Sequence, residues 1–363
     1  MEESLRQRIL HLATRAPTSD NAQPFEYRWQ DSRLLIYHDE QRALRRGNAG
    51  QTASLIGLGC LLESLVISAS GEGRAAELAL SDSLPSAAAP WAEVTFQPTG
   101  KAADNLLPGL ARRASDRRPY RGGSLSDAVF AAIQRDARRF PACTLYLQDE
   151  LGEPIVQYVL DCESFLWLDR QVLPDVLKWV RWNKREARET RDGIYWPGLA
   201  ISYLTSRIMK LAAHSRLVRM LLRRSGGPLR SQRQVSRRQL ETAAALGCFA
   251  VRDLAPATLV AVGRAFLRVW VRLNLAGYGL QVMANPSLHV YQHAAGLLPA
   301  DYPAPSKRLF ADGGAMLRSA FEIPAAETPA WMFRTGLSSD LPADWRTYRR
   351  PLAEVIRSGS APS

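Results

Sequence analysis

A dense cluster of hydroxyl and amide side chains lies near the start of the chain, in Ala16-Pro17-Thr18-Ser19-Asp20-Asn21-Ala22-Gln23-Pro24-Phe25. Two prolines bracket it, and their fixed φ holds the neighbouring donors in place. Such a loop offers backbone N–H groups, short side-chain donors and an aromatic ring within ten residues, a surface suited to the edge of a flat polar ring. The plainer reading is a turn capping a hairpin, because Pro/Ser/Asn clusters are common turn punctuation. A second run, Arg112-Arg113-Ala114-Ser115-Asp116-Arg117-Arg118-Pro119-Tyr120, sets four arginines around one serine. Guanidinium forks match phosphate and carboxylate, although alone the run also reads as a solvated basic loop. His289 and His293 have the four-residue spacing of metal ligands on a helix, but the glutamate of HExxH is absent. They read better as core or surface histidines, with acid–base work in a substrate pocket as the alternative; no metal site is expected. Neither a G-x-S-x-G elbow nor a G-x-G-x-x-G after a strand occurs, so a hydrolase elbow and a Rossmann dinucleotide site are not supported.

Taken together, the two runs resemble motifs of the flavin-dependent nitroreductase superfamily: an Arg-x-Ser-x-Arg/Lys element and a Pro-Ser-Ser-x-Asn-x-Gln-Pro-aromatic element. Here they read Arg113-Ala114-Ser115-Asp116-Arg117 and Pro17 to Phe25, with Thr18 in place of a serine and Phe25 where the family often has tryptophan. A third element, Trp331-Met332-Phe333-Arg334-Thr335-Gly336 followed by Arg349-Arg350-Pro351-Leu352, is similar to the family's closing strand and basic tail. The resemblance implies FMN as cofactor, with NAD(P)H as a candidate reductant. It implies that Arg113 and Ser115 hold the phosphate and ribityl region. Arg117 is then the cation nearer the ring, Pro17, Thr18, Ser19 and Asn21 contact the flavin from the opposite side, and Arg349 or Arg350 adds a phosphate contact. The extra Asp116 puts the tuning of the ring in doubt. The function implied is two-electron transfer between FMN and a small aromatic or conjugated molecule; the large insertion at 151–246 argues for a dedicated substrate, in a step of specialised metabolism. The alternative is an FMN-sequestering protein with a closed lid and little turnover.

The elements that must position these residues follow from length and pattern. The chain has 363 residues, enough for one large core or two fused ones, and its composition is globular. Its start has no basic n-region and apolar h-region, and the apolar run 54–70 is interrupted by Glu63, so a cytoplasmic protein is expected. Four scattered cysteines fit reduced, buried thiols. A net charge of +12 invites a nucleic-acid reading, but no aromatic-interleaved basic strand or zinc spacing supports it. Apolar spacing predicts helices over 3–14, 50–70, 102–113, 126–139 and 257–277, and strands over 26–29, 33–38, 76–80, 91–96, 143–148 and 247–252. Arg264, Arg268 and Arg272 sit four apart on one face of the last helix and read as its solvent side.

An internal repeat is visible: strand 34–38, Asp39, a spacer to Gly50 and a long helix match strand 247–252, Asp253, a spacer to Gly263 and a long helix. The expected fold is α+β, a nitroreductase-like three-layer α/β/α in which two related halves, 1–110 and 111–363, are fused in one chain. This arrangement resembles the single-chain, pseudo-dimeric Acg-type branch, with one flavin site because nothing precedes residue 16 that could serve as a second arginine motif. Residues 151–246 form a helical insertion. Tyr195 and Trp196 lie in a rigid aromatic loop there, a helix is expected over 199–224 and, if that helix is an ordinary solvated one, a flexible loop over 225–236. Residues 207–238 carry ten Lys or Arg and no acid. Three readings stay open: a lid building a pocket for a small-molecule substrate, a basic amphipathic helix on an anionic membrane or a carrier protein, or an ordinary solvated helix. The chain is expected to be a monomer or a homodimer.

Overall fold

Leu5, Ile9 and Ala13 fall at steps of four and line the buried side of the first helix, α1 (Glu3–Ala13). In the computed structural model, which describes residues 1–86, 89–150 and 152–357, α1 leads to the hairpin β1 (Phe25–Gln30) and β2 (Arg33–His38), then α2 (Thr52–Gly71), β3 (Arg74–Leu80) and β4 (Ala92–Pro98). These strands form an antiparallel sheet in the order β1-β2-β4-β3. A single helical turn, α3 (Leu107–Leu110), precedes α4 (Asp127–Ala137) and β5 (Cys143–Gln148). The insertion supplies α5 (Glu153–Leu168), α6 (Val172–Leu177), β6 (Val180–Arg181), α7 (Lys184–Thr190), β7 (Ile194–Tyr195), α8 (Tyr203–His214), α9 (Arg216–Ser225) and α10 (Gly227–Glu241). Its expected first residue, Leu151, lies outside the described residues. Then come β8 (Ala245–Val251), α11 (Pro256–Leu275), β9 (Tyr278–Val282), α12 (Asn285–Ala294), α13 (Ala304–Phe321), β10 (Thr328–Leu337) and the short α14 (Leu352–Val355). The second large sheet runs β5-β8-β10-β9, also antiparallel.

The α+β class expected from sequence is present, and the two sheets share one topology. The helix α11 and the strand β9 begin 204 residues after α2 and β3, and α11 and α2 are both 20 residues long. The helices α1 and α4 are both 11 residues long and pack on α2 and α11 respectively. One register differs from expectation. Gly50 precedes its helix with a left-handed φ of 61°, whereas Gly263 lies inside α11. The true counterpart of Gly263 is Gly59. A Cβ on Gly59 would lie 2.1 Å from the Val260 carbonyl oxygen, and one on Gly263 would lie 2.0 Å from that of Ile56. The two long helices therefore touch backbone to backbone, which only glycine permits. The spacer before α2 is longer than that before α11, so matching by distance from the strand misaligned the glycines.

Side-chain alternation explains the layers. Around the second sheet, Leu145, Phe249, Val251 and Phe333 face the core shared with α11, while Leu246, Cys248, Ala250 and Met332 face a second core under α5, α12 and α13. Tyr27, Leu34, Ile36, Val94 and Phe96 of the first sheet join the shared core beneath α1 and α2. Its other face carries Tyr37, over which Arg28 and Arg357 lie, and the Arg33–Glu93 pair. The stretch Ala49–Gly71 is long and apolar enough to cross a membrane, but 94% of its apolar window is buried inside the protein.

Three further expectations change. The arginines of α11 do not face solvent: Arg268 is 1% exposed and pairs with Glu63 and Asp104 at 2.8 Å each, Arg264 pairs with Glu63 at 2.9 Å, and Arg272 with Asp136 at 2.7 Å. Their acids come from α2, α4 and the turn before α3, which a one-helix pattern does not reveal. The helix expected over 102–113 shrinks to one turn because the Asp104 carboxylate accepts from the Leu106 N–H and holds a turn there. The helix expected over 199–224 breaks at Ser215, whose extended backbone and hydroxyl cap α9, and the loop expected over 225–236 is the start of α10.

Candidate active site

The loop between α1 and β1 is pinned by its own amides. Asp20, Asn21 and Gln23 all have left-handed φ, at 48°, 55° and 53°, and the Gln23 N–H donates to Thr18 Oγ1 at 3.0 Å. Asn21 is buried; its Nδ2 donates to the carbonyls of Gly193 (2.9 Å) and Tyr348 (3.1 Å), and its Oδ1 accepts from Arg349 at 2.8 Å. The Arg349 guanidinium also donates to the carbonyls of Thr14 and Arg15, both at 2.9 Å, and to Thr347 Oγ1 at 2.7 Å. The Arg350 N–H donates to Gln23 Oε1 at 2.9 Å, while its side chain reaches Glu354. The tail thus meets the loop, and the guanidiniums of Arg349 and Arg350, expected to contact a phosphate, are spent largely on protein groups.

Arg113 is buried, stacks over Trp270 at 4.4 Å and donates to the Arg15 carbonyl at 2.8 Å, while its Nε finds no partner. Burial, with Arg15 alongside, brings its pKa down to about 10. Ser115 lies on the edge of β9, held by the Asp116 N–H donating to the Leu280 carbonyl at 2.9 Å, and among the described residues its hydroxyl has no hydrogen bond. Asp116 makes no ion pair with Arg117: its carboxylate is taken by Arg118 (2.8 and 2.9 Å) and the Ser338 hydroxyl, and it acts on Arg117 only as a nearby charge. Despite burial, those hydrogen bonds hold its carboxyl below the usual range. Arg117 donates to the Gly198 carbonyl at 3.1 Å, and burial lowers its pKa although Asp20 opposes this. Burial in turn pushes the Asp20 carboxyl up to about 6 against the pull of Arg117.

Sequence reasoning missed two members of this cluster. Arg15 immediately precedes the loop, its guanidinium donates no hydrogen bond among the described residues, and its Nε is buried. Burial and the nearby Arg346 both lower its pKa. Among the described residues the Arg346 guanidinium donates only to the Arg112 carbonyl, at 3.3 Å. Burial first, and then Arg113 and Arg15, drive the Arg349 pKa well down. Four guanidiniums, Arg15, Arg113, Arg346 and Arg349, thus converge on one junction, and no carboxylate within ion-pair distance offsets any of them among the described residues. The basic character was legible around residue 113, but the convergence was not, because it joins residues 98, 234 and 334 positions apart.

Residues 193–198 close the other side. Besides accepting from Asn21 and Arg117 through Gly193 and Gly198, this stretch presents Tyr195 and Trp196, whose rings meet edge to face at 6.2 Å; Trp196 packs into the small core of the insertion. The crevices beside the loop are small, about 20 Å³ along Thr14, Thr18, Gln23 and Arg350 and about 10 Å³ along Ser19, Asn48 and Ser54, room for little more than a water. The two histidines are not brought together. His293 is exposed, whereas His289 stacks on Phe310 at 4.2 Å and its Nδ1 bonds the Asn285 carbonyl at 2.9 Å. No contact of His289 is with the 16–25 loop, and burial lowers its pKa to about 4. No metal-binding cluster occurs among the described residues.

No family model matches the sequence, and no curated protein matches it. Among solved structures, the chain is similar to an FMN- and NADPH-dependent nitroreductase, NfnB, of Sphigopyxis sp. strain HMH: 14% identity over 71% of this chain and 100% of that one, TM-score 0.39. It is similar to NfnB of Mycobacterium smegmatis in complex with NADPH at 12% identity, covering 69% and 96%, TM-score 0.38. A nitroreductase with bound FMN from Desulfitobacterium hafniense DCB-2 gives 11% identity, 71% and 99% coverage and a TM-score of 0.36. Overlaps of this size do not by themselves assign an activity.

Proposed function

We propose that this chain is an FMN-dependent oxidoreductase of nitroreductase type, with two related halves (1–110 and 111–363) fused around one flavin site. One observation carries the reading: the uncompensated convergence of Arg15, Arg113, Arg346 and Arg349. Like charges gathered without an acid destabilise an empty site and suit a phosphate dianion, for which guanidinium is the matching donor. The unpartnered Nε of Arg15 and Arg113 and the free Ser115 hydroxyl are donors that such a group would satisfy. In this reading Arg15, Arg113 and Ser115 hold the phosphate end, Arg349 and Arg350 hold the Pro17–Asn21 loop in place, and Arg117 is the cation beside the ring. FMN, when bound, supplies the two-electron chemistry; the protein binds, orients and excludes water. NAD(P)H as reductant and a small conjugated molecule as substrate, as a dedicated step of specialised metabolism, complete the proposal.

The bonds from Asn21 and Arg117 to residues 193–198 favour a second reading in which this segment stays closed and FMN is sequestered. Anaerobic titration of the purified protein with NADPH, followed by absorption, separates the two. A yellow protein that bleaches supports the reductase. A yellow protein that neither NADPH nor dithionite bleaches supports sequestration. A colourless protein that takes up no added FMN refutes both.

A further inference from the structure

The insertion carries a feature that the flavin reading does not use. Residues 193–240 contain ten Lys or Arg and no Asp or Glu. Where they fold into α8 and α9, large apolar side chains point outward: Leu204 is 69% exposed, Leu211 62%, Leu217 60% and Leu221 54%. Leu204, Ile208 and Leu211 recur at steps of four and three, and Leu217, Met220 and Leu221 at three and one, so each set lies on one side of its helix. The opposite sides, with Ala212, Met209, Val218 and Leu222, fill the small core over α6. Among the described residues the outward apolar side therefore has no partner. Arg207, Arg216 and Arg224 are exposed along it, and among the described residues none forms an ion pair with a carboxylate. By contrast Arg233 and Arg237, further along, are tied down by Asp161 and Glu153 at the base of the insertion.

We propose that the outer face of α8 and α9 docks on an anionic lipid bilayer. Apolar side chains exposed along a helix, flanked by unneutralised cations, are what an interfacial helix presents: the leucines enter the acyl boundary and the cations meet anionic headgroups. Charge complementarity selects this occupant. A second copy would bring one acid-free basic face against another, which repels. The break at Ser215 lets two short helices lie along the surface where one long helix would project. Both ends of the segment are anchored: Trp196 packs against Tyr203 at 6.2 Å, and α10 reaches back through Gln239, whose amide donates to the Arg117 carbonyl at 2.7 Å. Docking would thus fix the whole protein at the membrane rather than a loose arm.

The test is flotation of the full chain with vesicles of phosphatidylcholine alone and of phosphatidylcholine with about 30 mol % phosphatidylglycerol. Binding to the anionic vesicles only, lost in high salt, is expected. Leu204→Ser with Leu211→Ser, and separately Arg216→Glu with Arg224→Glu, should each weaken it by about tenfold or more while leaving far-ultraviolet circular dichroism and melting temperature unchanged, since all four side chains are exposed. No flotation, equal flotation with neutral vesicles, or binding indifferent to both double variants overturns the proposal. So does a dimer in sedimentation velocity that the leucine variant dissociates, which would assign the face to a second copy.

Discussion

Arg15→Gln is the sharpest perturbation of the phosphate site because it removes a charge without removing a contact. The Arg15 guanidinium donates no hydrogen bond among the described residues, and its nearest charged neighbours are cations. In the empty protein, the substitution relieves repulsion from Arg113, Arg346 and Arg349. At a few tenths of a kcal/mol for each like-charged pair, this stabilises the apo form by roughly 0.5–1.5 kcal/mol, or about 0.7–2 °C in melting temperature for a chain of this size. In the FMN complex the same change deletes a charge-assisted hydrogen bond worth about 1.5–3 kcal/mol, about 10- to 150-fold in Kd. Riboflavin, which lacks the phosphate, provides the control: its affinity should not change. Thermal denaturation of the apo protein and flavin-fluorescence titrations with FMN and riboflavin measure all three quantities. An apo protein that loses stability, with an unchanged ratio of FMN to riboflavin affinity, would show that Arg15 serves the fold and would refute the phosphate assignment.

Arg268→Met leaves Glu63 and Asp104 without their central partner in a buried network and should cost about 3–5 kcal/mol in urea denaturation; a cost below about 1 kcal/mol would mean that water reaches the network. Gly59→Ala places a Cβ about 2 Å from a backbone oxygen of α11 and should destabilise by about 1–3 kcal/mol or more, because neither helix backbone can retreat; an unchanged denaturation midpoint would contradict the close crossing. His289 has its folded pKa depressed from 6.5 to about 4, so its contribution to stability is full above pH 6.5 and is lost as pH falls toward 4. His38, buried against Trp91, shifts in the same direction. His289→Phe should therefore flatten the decline of stability between those pH values by on the order of 3 kcal/mol, and an unaltered slope would place the titration elsewhere.

How much of this was legible in the sequence depended on whether a feature is local. The two long helices, most of the strands and the loop around Asn21 follow from spacing and turn chemistry within a dozen residues. The roles of Arg264, Arg268 and Arg272 did not, because a stripe on one helix cannot say whether the facing side is water or the acids of α2, α4 and the turn before α3. Arg15 and Arg346 went unnoticed for the same reason: each is a single arginine in a basic chain until folding brings them beside Arg113. The resemblance implied a phosphate contact for Arg349 or Arg350, but that the Arg349 guanidinium is spent on the loop depends on carbonyls at residues 14, 15 and 348. α12 and α13 were missed, and α10 was read as a loop because Gly226, Gly227 and Pro228 mimic one; there the proline sits in the first turn, where a missing N–H costs nothing.

The lengths of the connections bear on the proposal of a single flavin site. α1 and α4 are equal in length and lead into equivalent strands, but 11 residues (14–24) join α1 to β1 and only five (138–142) join α4 to β5. The longer connection makes room for three left-handed residues and for the Asn21 amide, which bonds Gly193 and Tyr348. The shorter one, Arg138-Arg139-Phe140-Pro141-Ala142, has no hydroxyl or amide side chain at all. A second ring-binding loop therefore has no residues from which to form, whatever the symmetry of the sheets. FMN titration should accordingly saturate at one equivalent per chain. Two equivalents would require a binding surface built without that loop, and would sink the fused, single-site reading even if every arginine variant behaved as expected.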